Sequence, residues 1–204
     1  MAYIVEPTSD ARTQPDLEFV NRDAANDLIS GGGAGLLRLF TREQVPDLAH
    51  LESSHARLTD FLFITAVDAV SPEVKEVVEA LEPGRHQFFP VSIQRQRGSK
   101  PILGKDSAPL RDPYYVLNPG ARLDAVWIER SNVIVREFAP DKVFVAEKSG
   151  HRDQVVLRRS VVEGHHIWRG QWHLGTKLFF SDTLVQIAQE RKWKGRKFRH
   201  VREE

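Results

Sequence analysis

Cysteine is missing from all 204 residues. That excludes disulfides, thiolate nucleophiles and cysteine-based zinc or iron–sulfur sites. Also missing is any run near the ~20 apolar residues that cross a bilayer as a helix. The opening Met1-Ala2-Tyr3-Ile4-Val5-Glu6 lacks a basic region followed by an apolar one, so it does not read as a secretory signal. Together these absences lead to the expectation of a cytoplasmic protein with no membrane partner. What is present is ordinary globular material, 41% hydrophobic and 28% charged. That is enough for a core, in one large domain or two small lobes sharing a sheet.

Motifs that carry chemistry are scarce. Gly31-Gly32-Gly33 invites a phosphate-loop reading, but Leu36 holds the sixth place of the dinucleotide pattern and no Gly-Lys-Ser/Thr follows. His50-Leu51-Glu52-Ser53-Ser54-His55 looks like a zinc-protease helix, yet histidines five apart lie about 140° off one another on a helix. A surface helix is expected there. His151, His165, His166 and His173 are the other metal candidates, and adjacent histidines on a strand point to opposite faces. There is no Gly-x-Ser-x-Gly elbow and no carboxylate pair beside an obvious histidine. No catalytic residue, metal ligand or cofactor is assigned, and the chain reads as a non-enzyme.

The net charge of +1 hides a polarity. Residues 1–84 carry 15 Asp+Glu against 6 Lys+Arg, and residues 85–204 carry 13 against 23. Such halves either attract each other or each meet a partner of opposite sign.

Two stretches are built alike. In the tail, Lys177-Leu178-Phe179-Phe180 reads as a strand and Ser181 or Asp182 as a helix N-cap. Leu184, Ile187 and Ala188 share a helical face, Arg191 and Lys192 suit the last turn, and Gly195 is read as the stop. Arg196 to Val201 returns as a strand. Earlier, Phe61 to Thr65 is a strand, Ser71 a cap and Pro72 the first helical residue. Val74, Val77, Val78 and Leu81 form the apolar stripe, Gly84 the stop, and Gln87 to Ile93 a second strand. This is either a worn duplication or a common unit used twice.

The rest of the chain reads mainly as strands and turns. Tyr3 to Val5 suits an edge strand, Asp16 to Ser30 a helix, and Leu36 to Phe40 a strand. Pro46 to Leu58 suits a loop or short helix. Gln94 to Pro113, rich in arginine, lysine, glycine and proline, reads as an exposed, mobile loop. Tyr114 to Asn118, Leu123 to Ile128, Asn132 to Phe138 and Val143 to Val145 are strand candidates. The fold class is α+β: a mixed, mostly antiparallel sheet with a few short amphipathic helices and two strand–helix–strand modules. Residues 1–59 are expected as an acidic segment packed on a main domain of residues 60–204.

Arg191 to Arg202 supplies one binding signal, seven Lys/Arg in twelve residues with Trp193 and Phe198 among them. Phosphates pair with such cations and bases stack on such rings. A nucleic-acid-binding regulator is therefore the alternative reading, set against a helix C-terminus that merely favours basic side chains.

The motifs His166-Ile167-Trp168-Arg169, Leu178-Phe179-Phe180-Ser181-Asp182 and Gly195-Arg196-Lys197-Phe198 together resemble immunity family eleven of the bacterial polymorphic-toxin systems. Tyr114-x-x-Leu117-Asn118, Asp124 and Ser131 fit the middle of that pattern. The likeness covers about residues 60–202. It implies a protein that binds and neutralises a cognate secreted antibacterial toxin in the producer's cytoplasm, in interbacterial competition of the type VI secretion kind. Trp168, Phe180, Ser181, Asp182, Gly195 and Phe198 then serve folding. The acidic N-terminal part suits a basic toxin such as a nuclease, with Asp16, Glu18, Asp23, Asp27, Glu43 and Asp47 as the contact candidates. The oligomeric state is left open.

Overall fold

The computed structural model describes residues 1–8, 15–29, 38–52, 57–65, 67–98, 100–139, 142–150, 154–175 and 177–204. In chain order the elements are β1 (Ala2–Pro7), β2 (Leu17–Phe19), α1 (Arg22–Ile29), β3 (Leu48–Leu51), β4 (Phe61–Ile64) and β5 (Val67–Val70). Next come α2 (Pro72–Leu81), β6 (Gln87–Arg95), β7 (Tyr114–Asn118), β8 (Val133–Ala139), β9 (Lys142–Glu147) and β10 (Val156–Leu157). The chain closes with α3 (Arg159–Val162), β11 (Ile167–Arg169), β12 (Leu178–Ser181), α4 (Asp182–Glu190) and β13 (Arg196–Glu203). This is the mixed, mostly antiparallel α+β content expected from the sequence.

Two compact units share these elements. A barrel unit holds Pro7–Asn118 and Arg191–Arg196, and a sheet unit holds Met1–Glu6, Pro119–Glu190 and Lys197–Glu204. The division does not fall at residue 59, because strands from both sides of that point share one barrel.

The barrel closes in the order β2-β3-β6-β7-β5-β4. Its short first strand makes the closure: Leu17 pairs with Ile64 in parallel, and the Thr65 amide donates to the Leu17 carbonyl at 3.0 Å. Alternation sets the inside. On β3, Ala49 and Leu51 are buried; on β6, Val91 and Ile93 are buried while Pro90, Ser92 and Gln94 are exposed. The inward residues form one core with Phe19, Leu62, Ile64 and Val116. β3 runs where a loop or short helix was expected, and His50 sits on it, so the surface-helix reading fails. Residues 53–56, with His55, lie outside the described residues. The helix expected over residues 16–30 begins only at Arg22. Leu17 and Phe19 need alternate positions to reach the barrel interior, and the Asn21 side chain accepts from the Ala24 amide at 3.1 Å. Of the strand expected over residues 36–40, the described part, residues 38–40, is irregular.

In the sheet unit the order is β10-β13-β1-β12-β11, with β8 and β9 as a separate two-stranded sheet. β1 is therefore an interior strand and not an edge. Ala2 and Ile4 are both 0% exposed, and β1 pairs antiparallel with β12 from Ala2–Ser181 to Val5–Leu178. The core gathers Ile4, Val126, Val145, Leu157, Trp168 and Phe179. The segment 123–128 contributes a single bridge, Val126 to Leu157, where a strand was expected.

Both serine caps are present. Ser71 Oγ accepts from the Val74 amide at 3.4 Å and Ser181 Oγ from the Leu184 amide at 3.3 Å. Neither glycine ends its helix. α2 closes at Leu81 with Glu82 as C-cap, and α4 closes at Glu190. Gly195, at φ +102°, has a different task. A Cβ there would meet the Phe61 carbonyl oxygen at 2.2 Å, so only glycine admits the approach.

Candidate functional site

The motif residues make well-defined contacts within the fold. Trp168 stacks on Phe179 with ring centroids 5.5 Å apart and planes 5° apart, and Phe180 packs on Phe198 at 5.7 Å. Asp182 accepts the Tyr3 hydroxyl at 3.1 Å and the Gln186 amide at 3.1 Å, and its own amide donates to the Met1 carbonyl at 2.6 Å. Asp124 accepts the Trp172 and His173 amides at 2.7 and 3.0 Å. Ser131 donates to the Trp127 carbonyl at 2.7 Å and accepts the Val156 amide at 2.9 Å. Asn118 donates to the Arg38 carbonyl and to Gln87, both at 2.9 Å. Asp124 and Ser131 satisfy backbone groups, Asn118 a backbone carbonyl and the Gln87 side chain, and Trp168 and Phe180 fill core.

The basic tail is also largely committed within the chain. Arg191 pairs with Glu73 at 3.2 Å, and Trp193 donates to the same carboxylate at 3.3 Å while packing edge-on against Phe61. The Lys194 amide donates to the buried Asp60 at 2.9 Å. Arg196 is buried against Asp68 at 2.6 Å. In the sheet unit Arg199 pairs with Glu6 at 2.9 Å and also with Glu147. The aromatic pair expected to stack on bases is thus turned inward, Trp193 onto Phe61 and Phe198 onto Phe180.

These pairs answer the charge question left by the sequence. With Arg191–Arg196 counted in, the barrel unit holds 16 Asp+Glu and 16 Lys+Arg, and the sheet unit 12 and 13. The acidic and basic halves attract each other. The expected mobile loop is part of this: Lys105 pairs with Asp60 at 3.2 Å and with Glu73, and the Leu110 amide donates to the Ile102 carbonyl at 2.9 Å. Burial alone would raise the Glu73 carboxyl, but hydrogen bonds from Lys105, Trp193 and Arg191 hold it below the usual range.

Histidines gather where the sequence did not place them. His165 and His166 precede β11 and do not lie on a strand, so both line one cavity of about 540 Å³, with His200, Arg159, Asp182 and Glu203. His166 Nδ1 and the Ser181 hydroxyl share a 2.9 Å hydrogen bond. His173 stands apart, its ring driven down by burial. His151 lies outside the described residues. Among the described residues no group of three or more His, Asp or Glu is placed to hold a metal ion.

The six contact candidates all belong to the barrel unit. Asp16 immediately precedes β2; Glu18 sits on that strand opposite His50, between inward Leu17 and Phe19. Asp23 and Asp27 are one turn apart on α1, away from its buried Ala25 and Leu28. Glu43 lies in a 3-10 turn, Arg42–Gln44, and Asp47 just before β3. α1 packs on both β2 and that turn, which puts Glu18, Asp23, Asp27 and Glu43 on neighbouring elements, while Asp16 and Asp47 precede β2 and β3. Five are exposed and Glu18, paired with Arg22, is half-buried. The Glu43 carboxyl is held low by a hydrogen bond from its own backbone amide and then by Thr41. Sequence reasoning missed the apolar neighbours, Val20 at 48% and Leu39 at 60% exposed.

An α+β protein, with its sequence motifs engaged in cores, caps and backbone contacts, is the class these observations define. The model of the Imm11 immunity protein family matches residues 7–203 of the chain. The chain belongs to that family, and its role is toxin immunity. The match reaches well beyond residues 60–202 and takes in the first strands of the barrel. No curated protein matches it. No helix among the described residues is long and apolar enough to cross a membrane.

Proposed function

We propose that this chain protects the cell that makes it by binding a cognate antibacterial toxin in the cytoplasm and blocking it by occupancy, without turnover. The family match carries this reading. The toxin belongs to a polymorphic system delivered between bacteria, in the manner of type VI secretion. The acids on and around α1 suit a basic target such as a nuclease, whose own substrate is a polyanion. Complementary charge speeds capture.

The direct test is to identify the neighbouring genes and co-express this chain with any toxin domain they encode. Wild-type protein should restore growth. A variant carrying Asp23→Lys, Asp27→Lys, Glu43→Lys and Asp47→Lys should fold normally but associate on the order of 10-fold more slowly, with a weaker salt dependence. Unchanged association would remove the acidic face from the interface. No protection by the wild type would remove the immunity role toward that toxin.

A further inference from the structure

β8 and β9 form a two-stranded sheet of their own within the sheet unit. One of its edges is covered. Along β9, the Val145 amide donates to the Trp172 carbonyl at 3.1 Å and the Leu174 amide to the Val145 carbonyl at 2.7 Å. Among the described residues no strand lies along the other edge, that of β8. Every second residue of β8 aims its N–H and C=O away from β9, toward that open edge.

The side chains agree. Register places Ile134 opposite Ala146 and Arg136 opposite Phe144 on one face, and Val135 opposite Val145 and Glu137 opposite Val143 on the other. The second face packs inward: Val145 is 0% exposed, and Val133 and Val143 lie against the core. Yet Val135, on that same face, is 45% exposed, and Ile134 on the outer face is 39% exposed. Exposure on both faces of one strand locates the gap at its edge, because a neighbouring strand would cover both.

Open edges are commonly blunted by charge, and Arg136 and Glu137 do that here. They also select what can pair. Directly opposed residues share a face, so a strand added to β8 needs an acid level with Arg136 and a base level with Glu137. A second copy of β8 does not supply them. A two-fold axis through such a pairing preserves the faces, so Arg136 meets only even-numbered residues of β8 and Glu137 only odd-numbered ones. Neither set holds the opposite charge.

We propose that the open edge of β8 accepts an extended segment of the cognate toxin as a third, antiparallel strand. The segment carries an acid level with Arg136, a base level with Glu137 and apolar residues level with Ile134 and Val135. Main-chain hydrogen bonds supply affinity, and the charge order supplies selectivity. The assignment rests on the toxin-capture reading above, and not on the acids around α1.

Amide hydrogen exchange tests it, read residue by residue on the full chain with and without a toxin domain against which it protects in co-expression. The β8 amides aimed away from β9 should exchange fast in the free protein and about 10-fold or more slowly in the complex. Arg136→Glu combined with Glu137→Arg keeps the net charge and should weaken toxin binding about 10-fold at an unchanged melting temperature. Ile134→Lys and Val135→Lys should both weaken it, since the added strand covers both faces. A complex that leaves β8 exchange unchanged overturns the strand addition while toxin capture stands. Weakening by Ile134→Lys and Phe144→Lys with none from Val135→Lys overturns it in favour of the outer face. A free protein that sediments as a dimer with these amides already protected overturns it in favour of a second copy. Failure to protect against any toxin domain encoded by the neighbouring genes removes toxin capture, and this assignment with it.

Discussion

Arg196 Nη2 lies 2.6 Å from Asp68 Oδ1, with the two side chains only 2% and 12% exposed. The same guanidinium donates to the Leu62 and Gly195 carbonyls at 3.3 Å, so three of its five donors are engaged inside the barrel unit. Removing one partner strands a buried charge. Arg196→Met or Asp68→Ala should each cost about 3 kcal/mol, whereas the joint change to apolar residues should cost much less than the sum. Chemical denaturation of the two single variants and the double variant checks this. Additive losses would show that the pair does not act as a unit.

Gly195 offers a sharper test of backbone demand. Any side chain there combines a disfavoured φ with a 2.2 Å collision against the Phe61 carbonyl. Gly195→Ala should destabilise by about 2 kcal/mol or more, beyond the conformational cost alone. A thermal melt reads it directly.

The two serine caps should behave alike and stay silent in toxin capture. Ser71→Ala and Ser181→Ala should each cost about 1 kcal/mol through the lost amide contact. Protection in the co-expression assay should survive both. A Ser181→Ala protein of normal stability that fails to protect would assign a functional role to Ser181 and to His166 beside it.

Acid sensitivity should trace partly to Glu147. Burial pushes its carboxyl up, but Lys177 at 2.8 Å and Arg199 overcome this and hold it below its ordinary 4.5. A depressed folded value means stability that is present above pH 4.5 and is lost as pH falls through the folded value. Glu147→Gln should lower stability at neutral pH and flatten the decline below pH 4.5 in urea titrations at successive pH values. An unchanged acid limb would place the proton uptake elsewhere.

What could be read in advance was local. A cap needs one oxygen and an amide three residues on, so Ser71 was visible as a cap and Ser181 as one of two candidates with Asp182, and the apolar stripe of α2 was visible too. Barrel closure was not visible. It depends on Leu17 meeting Ile64, forty-seven positions away, and on β3 lying parallel to β6, and neither leaves a periodic trace. The interior place of β1 was hidden because it depends on β12 and β13 pairing along its two edges from the far end of the chain, which leaves no trace in its own residues. Nor was it visible that the basic tail would be spent on Asp60, Asp68 and Glu73. For five of the six acids, exposure followed from polarity; the packing of α1 on β2 and on the 3-10 turn follows only from the fold.

Residues 191–196 complete the barrel unit, and β13, directly after them, runs beside β1, which begins at the second residue. Each unit is thus assembled from segments far apart in the chain, and a truncation at Glu190 would take residues 191–196 from the barrel unit and residues 197–204 from the sheet unit at one stroke.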